Sequence, residues 1–519
     1  MNLYRAAIFA ALFLFLAVPP AAAQDVTLTS PDGKVEIVGT LLGFDGEFYR
    51  VETKFGELTI DGSGVLCDGP GCPSLTNYVA EVIFSGSSTM AEVLLPALIE
   101  GFVLRNGLSA HRTALADSRF EYHLSDAVTG IQVARFAFLV STTDKGFEDL
   151  LSNEADVVMA LREIRADERK RAYEAGMGDM TGRNRSRVLA LDAMVPVVAP
   201  DNPLQRISTP QLAQVFAGQI TNWTDLGGPD APIALHLSAK GSGLAQAMED
   251  RLLKPGHLPL AGGITRHGRS SLLARSVVID PFAIGLASFA ETGTARALTL
   301  TGACGFSLSA NRRSIKTEDY PLTSPMFLYL PARRLPKLAR EFLAYTNSPA
   351  AQLVIRRSGF VDQAPEQISL DAQGDRLANA IRGAGAEVPL EELQRLVDLL
   401  EPMRRLTTSF RFEAGSTRPD AQSRANVSQL ARALEAGIYD GKRLIFAGFS
   451  DGQGPADGNQ RIARKRALVV RDAVLALAET ANPERVQIEI AAFGEVMPMA
   501  CDDSDWGRQV NRRVEVWVR

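Results

Sequence analysis

Histidine and cysteine are scarce: 519 residues hold five of the first and four of the second. The histidines, His111, His123, His236, His257 and His267, stand in separate contexts, and no cysteine has a second Cys or His pair to complete a ligand set. No metal centre is expected. His-Glu-x-x-His and Gly-x-x-x-x-Gly-Lys are absent, and no carboxylate pair can be placed across a substrate. Neither enzymatic activity nor a cofactor is expected. The net charge of −5 excludes a basic polyelectrolyte binder, and with it a nucleic-acid partner. Long apolar runs are missing with one exception, Ala6 to Val18, which is shorter than the ~20 residues of a membrane span.

That run follows Arg5 and precedes Pro19-Pro20-Ala21-Ala22-Ala23, which is the pattern of an export signal cleaved near Ala23 or Gln24. Residues 1–24 are therefore expected to be a signal peptide without a lipid anchor, delivering the chain to the periplasm. An oxidising compartment suits the cysteines. Cys67 and Cys72 flank the turn-rich Asp-Gly-Pro-Gly and are expected to form a local disulfide, metal binding being the rival reading. Cys304 and Cys501 then either pair or stay free; a pair would tie the middle of the chain to its end.

The remaining length implies several domains. Short alternating runs separated by Asp32-Gly33, Asp45-Gly46 and Asp61-Gly62 predict a small β unit over 25–75. Strands alternate with helical patterns over 76–365, which predicts α/β architecture. Residues 366–404 read as a helical linker whose Leu393, Leu396, Val397, Leu400 and Met403 share one packing face. Residues 405–519 form a last α/β domain.

In that domain Asp451 closes the apolar run Arg443 to Phe449, and Gly452, Gly454, Pro455 and Gly458 follow as a turn. Asn459 is placed to cap the next helix, and Arg466 lies seven residues on, two turns down the same face. A carboxylate and a guanidinium facing one pocket can hold a zwitterion, the amine on Asp451 and the carboxylate in the arginine fork. The order Ser450-Asp451…Gly454…Asn459-x-x-Ile462-Ala463-x-x-Arg466-Ala467-x-x-Val470 resembles the peptidoglycan-binding domain of the OmpA family. Phe412-x-x-Gly415-Ser416, Phe493-Gly494-Glu495-x-x-Pro498 and the terminal Asn511-Arg512-Arg513-Val514-Glu515 extend the likeness. The resemblance implies that Asp451, Asn459 and Arg466 hold the diaminopimelate of a stem peptide, on the wall or outer-membrane side of the periplasm.

In the middle domain Ala80 to Phe84 leads through Ser85-Gly86-Ser87-Ser88-Thr89 into a helical pattern, so free backbone N–H groups and the helix dipole face one spot. With Asn153 to Arg162, Leu191 to Pro203 and Gln214 to Trp223, the stretch resembles phosphate-binding proteins of the PstS type. That implies two lobes that close on an oxyanion such as phosphate, and an ABC transporter or another envelope protein as partner. Carried over by position, the ligand groups are Ser88 and Thr89, Thr142 and Thr143, Arg162, and Ser242 with Gly243. The chain departs from the family where an arginine is replaced by Ser238, a threonine by Leu244, and Ser-Ser-Arg by Ala160-Leu161-Arg162. Three readings stay open: Arg162, Lys240 or Arg269 restores the charge; the pocket takes another small ligand; or it is empty. The expected function is a wall-tethered solute-binding protein, and the alternative is a non-catalytic envelope scaffold.

Overall fold

A computed structural model describes residues 25–519, apart from 76–77, 183–184, 303, 384, 386 and 413–415. The expected signal peptide lies outside the described residues. Among them no helix is long and apolar enough to cross a membrane.

The N-terminal unit is a five-stranded antiparallel sheet in the order Gly56–Asp61, Phe48–Thr53, Glu36–Phe44, Asp25–Thr29, Leu66–Asp68. Alternation turns Val26, Leu28, Tyr49 and Val51 inward as its core. Cys67 and Cys72 are disulfide-bonded beside that core. The sheet is held to the middle domain by Asp45 and Glu47, which pair with Arg334, Arg340 and Lys337.

The middle domain is built on an eleven-stranded sheet shared by two lobes. In the first lobe Ala80–Ser87 runs parallel to Gln132–Ser141 on one side and Val157–Ala160 on the other. Gly86 is obligatory there: its φ is +130°, and a Cβ would lie 2.3 Å from the Met159 carbonyl oxygen. The second lobe is centred on Ala234–Ser238, flanked in parallel by Thr265–His267 and Ala283–Ser288. Two long antiparallel strands, Ser186–Val198 and Thr323–Tyr329, run through both lobes and join them. Buried Asp192 sits where they cross between lobes, opposite Ser324.

The C-terminal sheet has the order Gln367–Ser369, Arg404–Arg411, Arg513–Val518, Arg443–Phe449, Gln487–Ala492. Helices Ala421–Glu435 and Ala456–Leu477 cover one face. Gly448 permits the second helix to sit close, since a Cβ would meet the Ala463 carbonyl oxygen at 2.2 Å. The other face would be bare without the expected linker. Gln367–Ser369 adds an edge strand, and helices Gly374–Gly383 and Leu390–Leu400 bury Ala380, Leu396 and Leu400 against Ile445, Phe449, Phe493 and Trp517. Burial of each leucine is worth roughly 1.5–3 kcal/mol, so residues 366–404 pack as part of this domain.

The middle and C-terminal domains share a buried, charged seam. Asp319 accepts hydrogen bonds from Arg405 (2.8 Å) and Arg411 (2.9 Å), and Arg376, Arg405 and Arg513 surround Glu515. Arg424 pairs with Glu163 of the first lobe at 2.7 Å, and Cys304 is disulfide-bonded to Cys501. The C-terminal domain therefore grips both lobes.

Candidate functional sites in the cleft and in the C-terminal domain

The strand register brings the predicted cradles together. Ser87 is opposite Ser141, so Ser88 and Thr142 leave adjacent parallel strands side by side. Ser88 opens a helical run through Arg105 with a π-helical stretch at Met90–Leu94, and Thr89 makes no capping bond. The neighbouring Ser87 hydroxyl is buried without a hydrogen-bond partner. Thr142 caps the helix Thr143–Leu151 by accepting from the Lys145 N–H at 3.0 Å. Thr143 is turned inward, its hydroxyl oxygen accepting the Leu161 N–H at 3.1 Å. From the opposite lobe Ser242 caps Gly243–Met248, and a Cβ on Gly241 would lie 3.2 Å from Thr142 Cγ2. Gly243 packs under Leu161, where a Cβ would approach Leu161 Cδ1 to 2.7 Å.

The cleft is thus shut on Leu161, and the side chains that bridge it are polar. Gln246 donates to Asp144 (3.0 Å), Arg165 pairs with Asp250 (3.1 Å), and Arg269 pairs with Glu92 (3.1 Å). Arg162, one candidate for the missing charge, is taken up by Asp144 and Glu168. Burial alone would lower its pKa; the two carboxylates outweigh burial and raise it. Arg269 is likewise committed. Lys240, exposed beside Gly241, has no ion pair among the described residues.

In the C-terminal domain Asp451 and Arg466 flank one site, but they do not pair with each other. Asp451 accepts from Arg512 at 2.6 Å, a partner whose motif was visible in the sequence without its role. Arg466 is 2 % exposed and, among the described residues, reaches only the Ser416 carbonyl oxygen, from Nε and Nη2, both at 3.3 Å, with its guanidinium over the Phe412 ring. Burial, then the neighbouring Arg512, push its pKa down to about 10, against the pull of Asp451. A buried cation with no carboxylate partner among the described residues suits an incoming anion. Asn459 does not cap the helix: Pro455 holds that position, and Asn459, a turn inside, donates to Glu495 at 2.6 Å. Gly448-Phe449-Ser450-Asp451-Gly452 has the spacing of a nucleophile elbow, yet Ser450 is buried and, among the described residues, its hydroxyl has no hydrogen-bond partner.

Residues 79–350, just over half of the chain, match the PBP superfamily domain, and residues 411–512 match the OmpA family. Among curated relatives, the protein SphX of Synechococcus elongatus is 26% identical over 43% of this chain and 67% of its own length. The phosphate-binding protein PstS of Bacillus subtilis is 29% identical over 36% of this chain and 60% of its own length. The chain thus spans about two thirds or less of these relatives. An ABC-type phosphate transport receptor from Vibrio cholerae aligns over 54% of this chain and 99% of its own, with 20% identity and a TM-score of 0.41. The peptidoglycan-associated lipoprotein of Burkholderia pseudomallei aligns over 22% of this chain and 90% of its own, with 23% identity and a TM-score of 0.20.

Proposed function

Because the chain belongs to the PBP superfamily and carries a C-terminal OmpA domain, we propose that it is a periplasmic, peptidoglycan-bound protein that holds a solute-binding domain at the cell wall. The observation that carries this reading is Arg466, buried and answered among the described residues only by a carbonyl oxygen, with Asp451 across the same site. A diaminopimelate carboxylate would take the guanidinium fork, and its ammonium would compete with Arg512 for Asp451. Sedimentation of the mature protein with purified peptidoglycan tests it. Asp451→Ala and Arg466→Ala should each weaken association about tenfold or more, as loss of a charge-assisted pair implies. Equal sedimentation of wild type and both variants sinks the proposal.

For the cleft, the convergence of three strand-to-helix turns at Ser88, Thr142 and Ser242 supports capture of a small oxyanion, phosphate among them, on backbone N–H groups. The phosphate-binding name of the Bacillus subtilis relative points the same way. With Arg162 neutralised, binding is weaker than an arginine-clamped site would give. The scaffold reading is favoured by a different observation: the C-terminal domain grips both lobes, through Glu163 on one and Asp319 on the other, which opposes opening. Calorimetry with phosphate and sulfate separates them. Heat at millimolar anion supports capture, and none leaves the scaffold. Delivery to an ABC transporter belongs to the first reading, contact with an envelope protein to the second.

A further inference from the structure

The seam between the middle and C-terminal domains forms an open pocket of about 480 Å³, lined by none of the residues of the two sites above. One wall is the start of strand Ser186–Val198 and the segment Ala344 to Ser348; the other is the middle of helix Ala421–Glu435, from Ala425 to Arg432. Its charges are Arg187 from the first wall and Arg432 from the second. Among the described residues, no aspartate or glutamate lines it. Neither arginine has an ion pair there: Arg187 donates to the Leu343 carbonyl oxygen at 2.9 Å. Burial lowers the Arg187 pKa, Arg432 lowers it further, and no carboxylate opposes them.

The rest of the lining is rich in donors. Gln363 contributes a buried Nε2 without a hydrogen-bond partner among the described residues, while its Oε1 is already occupied by Gln422. Ser348 caps the helix Pro349–Arg357, whose first turn carries no acid, so that helix presents its positive end at the cavity. Two like charges kept close across a domain boundary cost energy unless something neutralises them. The volume falls in the range of small-ligand sites and exceeds the need of a single inorganic anion.

We infer that this interdomain cavity is a binding site for a small organic dianion, a phosphate monoester or a dicarboxylate, held between the guanidinium groups of Arg187 and Arg432 with Gln363 as a neutral donor. Guanidinium forks match both oxyanion geometries, so the shared chemistry is a pair of negative charges on a compact carbon skeleton. Since one arginine comes from each domain, the ligand would strengthen the join that fixes the solute-binding lobes to the wall-binding domain.

Calorimetry of the full mature chain with glycerol 3-phosphate and, separately, succinate tests the site and tells the two sources apart. Wild type should bind at least one of them. Arg432→Gln, an exposed position whose change leaves the fold intact, and Arg187→Gln should each weaken binding about tenfold or more. Arg105→Gln, an exposed position on the first lobe, should leave that binding unchanged. No heat with either compound at roughly 10 mM, or heat that survives Arg432→Gln, overturns the inference.

Discussion

Arg162 and Arg466 are both arginines suggested by family patterns, and both are largely withdrawn from water. Their surroundings differ in one respect. Arg162 lies between Asp144 and Glu168, and its charged form is favoured. Arg466 meets a carbonyl oxygen, an aromatic face and a second cation, and its charged form is disfavoured. An arginine already answered by acids stabilises a fold, whereas one left wanting an anion is poised to bind one. The comparison shifts the weight of the functional reading from the cleft to the C-terminal domain.

The strongest way to break this contrast is to convert the first kind of arginine into the second. Asp319→Ala leaves Arg411 without its acid and Arg405 with only Glu515. Burial would raise the Asp319 pKa, yet Arg405 and Arg411 outweigh it and hold it far below the usual carboxylate range. Removing it should cost about 3–5 kcal/mol, read from the urea midpoint of the full chain. A loss under about 1 kcal/mol would mean that buried arginines here tolerate isolation, and the argument from Arg466 would fail with it.

Next in size is Arg466→Ala itself. It should weaken the proposed wall binding about tenfold or more while changing the unfolding free energy by less than about 1 kcal/mol, because deleting a poorly answered buried charge also deletes its desolvation penalty. A large loss of stability in the same denaturation experiment would make Arg466 a structural residue. Glu168→Gln sharpens the other side. It keeps an oxygen for the Arg165 N–H, bonded now at 2.8 Å, but withdraws one of the two charges on Arg162. Stability should fall by about 1–2 kcal/mol, and affinity of the cleft for phosphate should rise several-fold as Arg162 is released. Unchanged phosphate heat would remove Arg162 from any account of the cleft.

How much of this could be read in the sequence follows the same division. Asp451 and Arg466 belong to one local strand-turn-helix, so their spacing carried the site, and the strand-to-helix turns at Ser88, Thr142 and Ser242 were legible for the same reason. The partners were not. Glu168 answers Arg162 from the next helix, Arg512 reaches Asp451 from 61 residues away, and Asp319 meets Arg405 and Arg411 across a domain boundary. None of these pairings leaves a periodic trace. The packing face of residues 366–404 was legible, but not what it packs on, because the bare side of the sheet that receives Leu396 and Leu400 exists only once the sheet is formed.

The smallest effect concerns a carboxyl that no arginine answers. Asp192, buried where the lobes join, accepts from the Ser288 hydroxyl at 2.6 Å and the Ala193 N–H at 2.8 Å. Burial pushes its pKa up to about 6, these hydrogen bonds notwithstanding. The folded chain therefore holds this proton at pH values where the unfolded chain has lost it, so the contribution falls as pH rises towards and through 6. Between pH 5 and pH 7 the wild type should lose about 1 kcal/mol more stability than Asp192→Asn, which cannot titrate. Taking the difference between the two proteins matters, because burial lowers the pKa of His236 and His267, and their protonation at pH 5 works in the opposite direction. Asp319 and Glu515 stay ionised over this range, since burial is outweighed in both by neighbouring arginines. If urea denaturation gives wild type and variant the same change in stability between the two pH values, the Ser288 and Ala193 hydrogen bonds outweigh burial and hold Asp192 ionised in the folded chain.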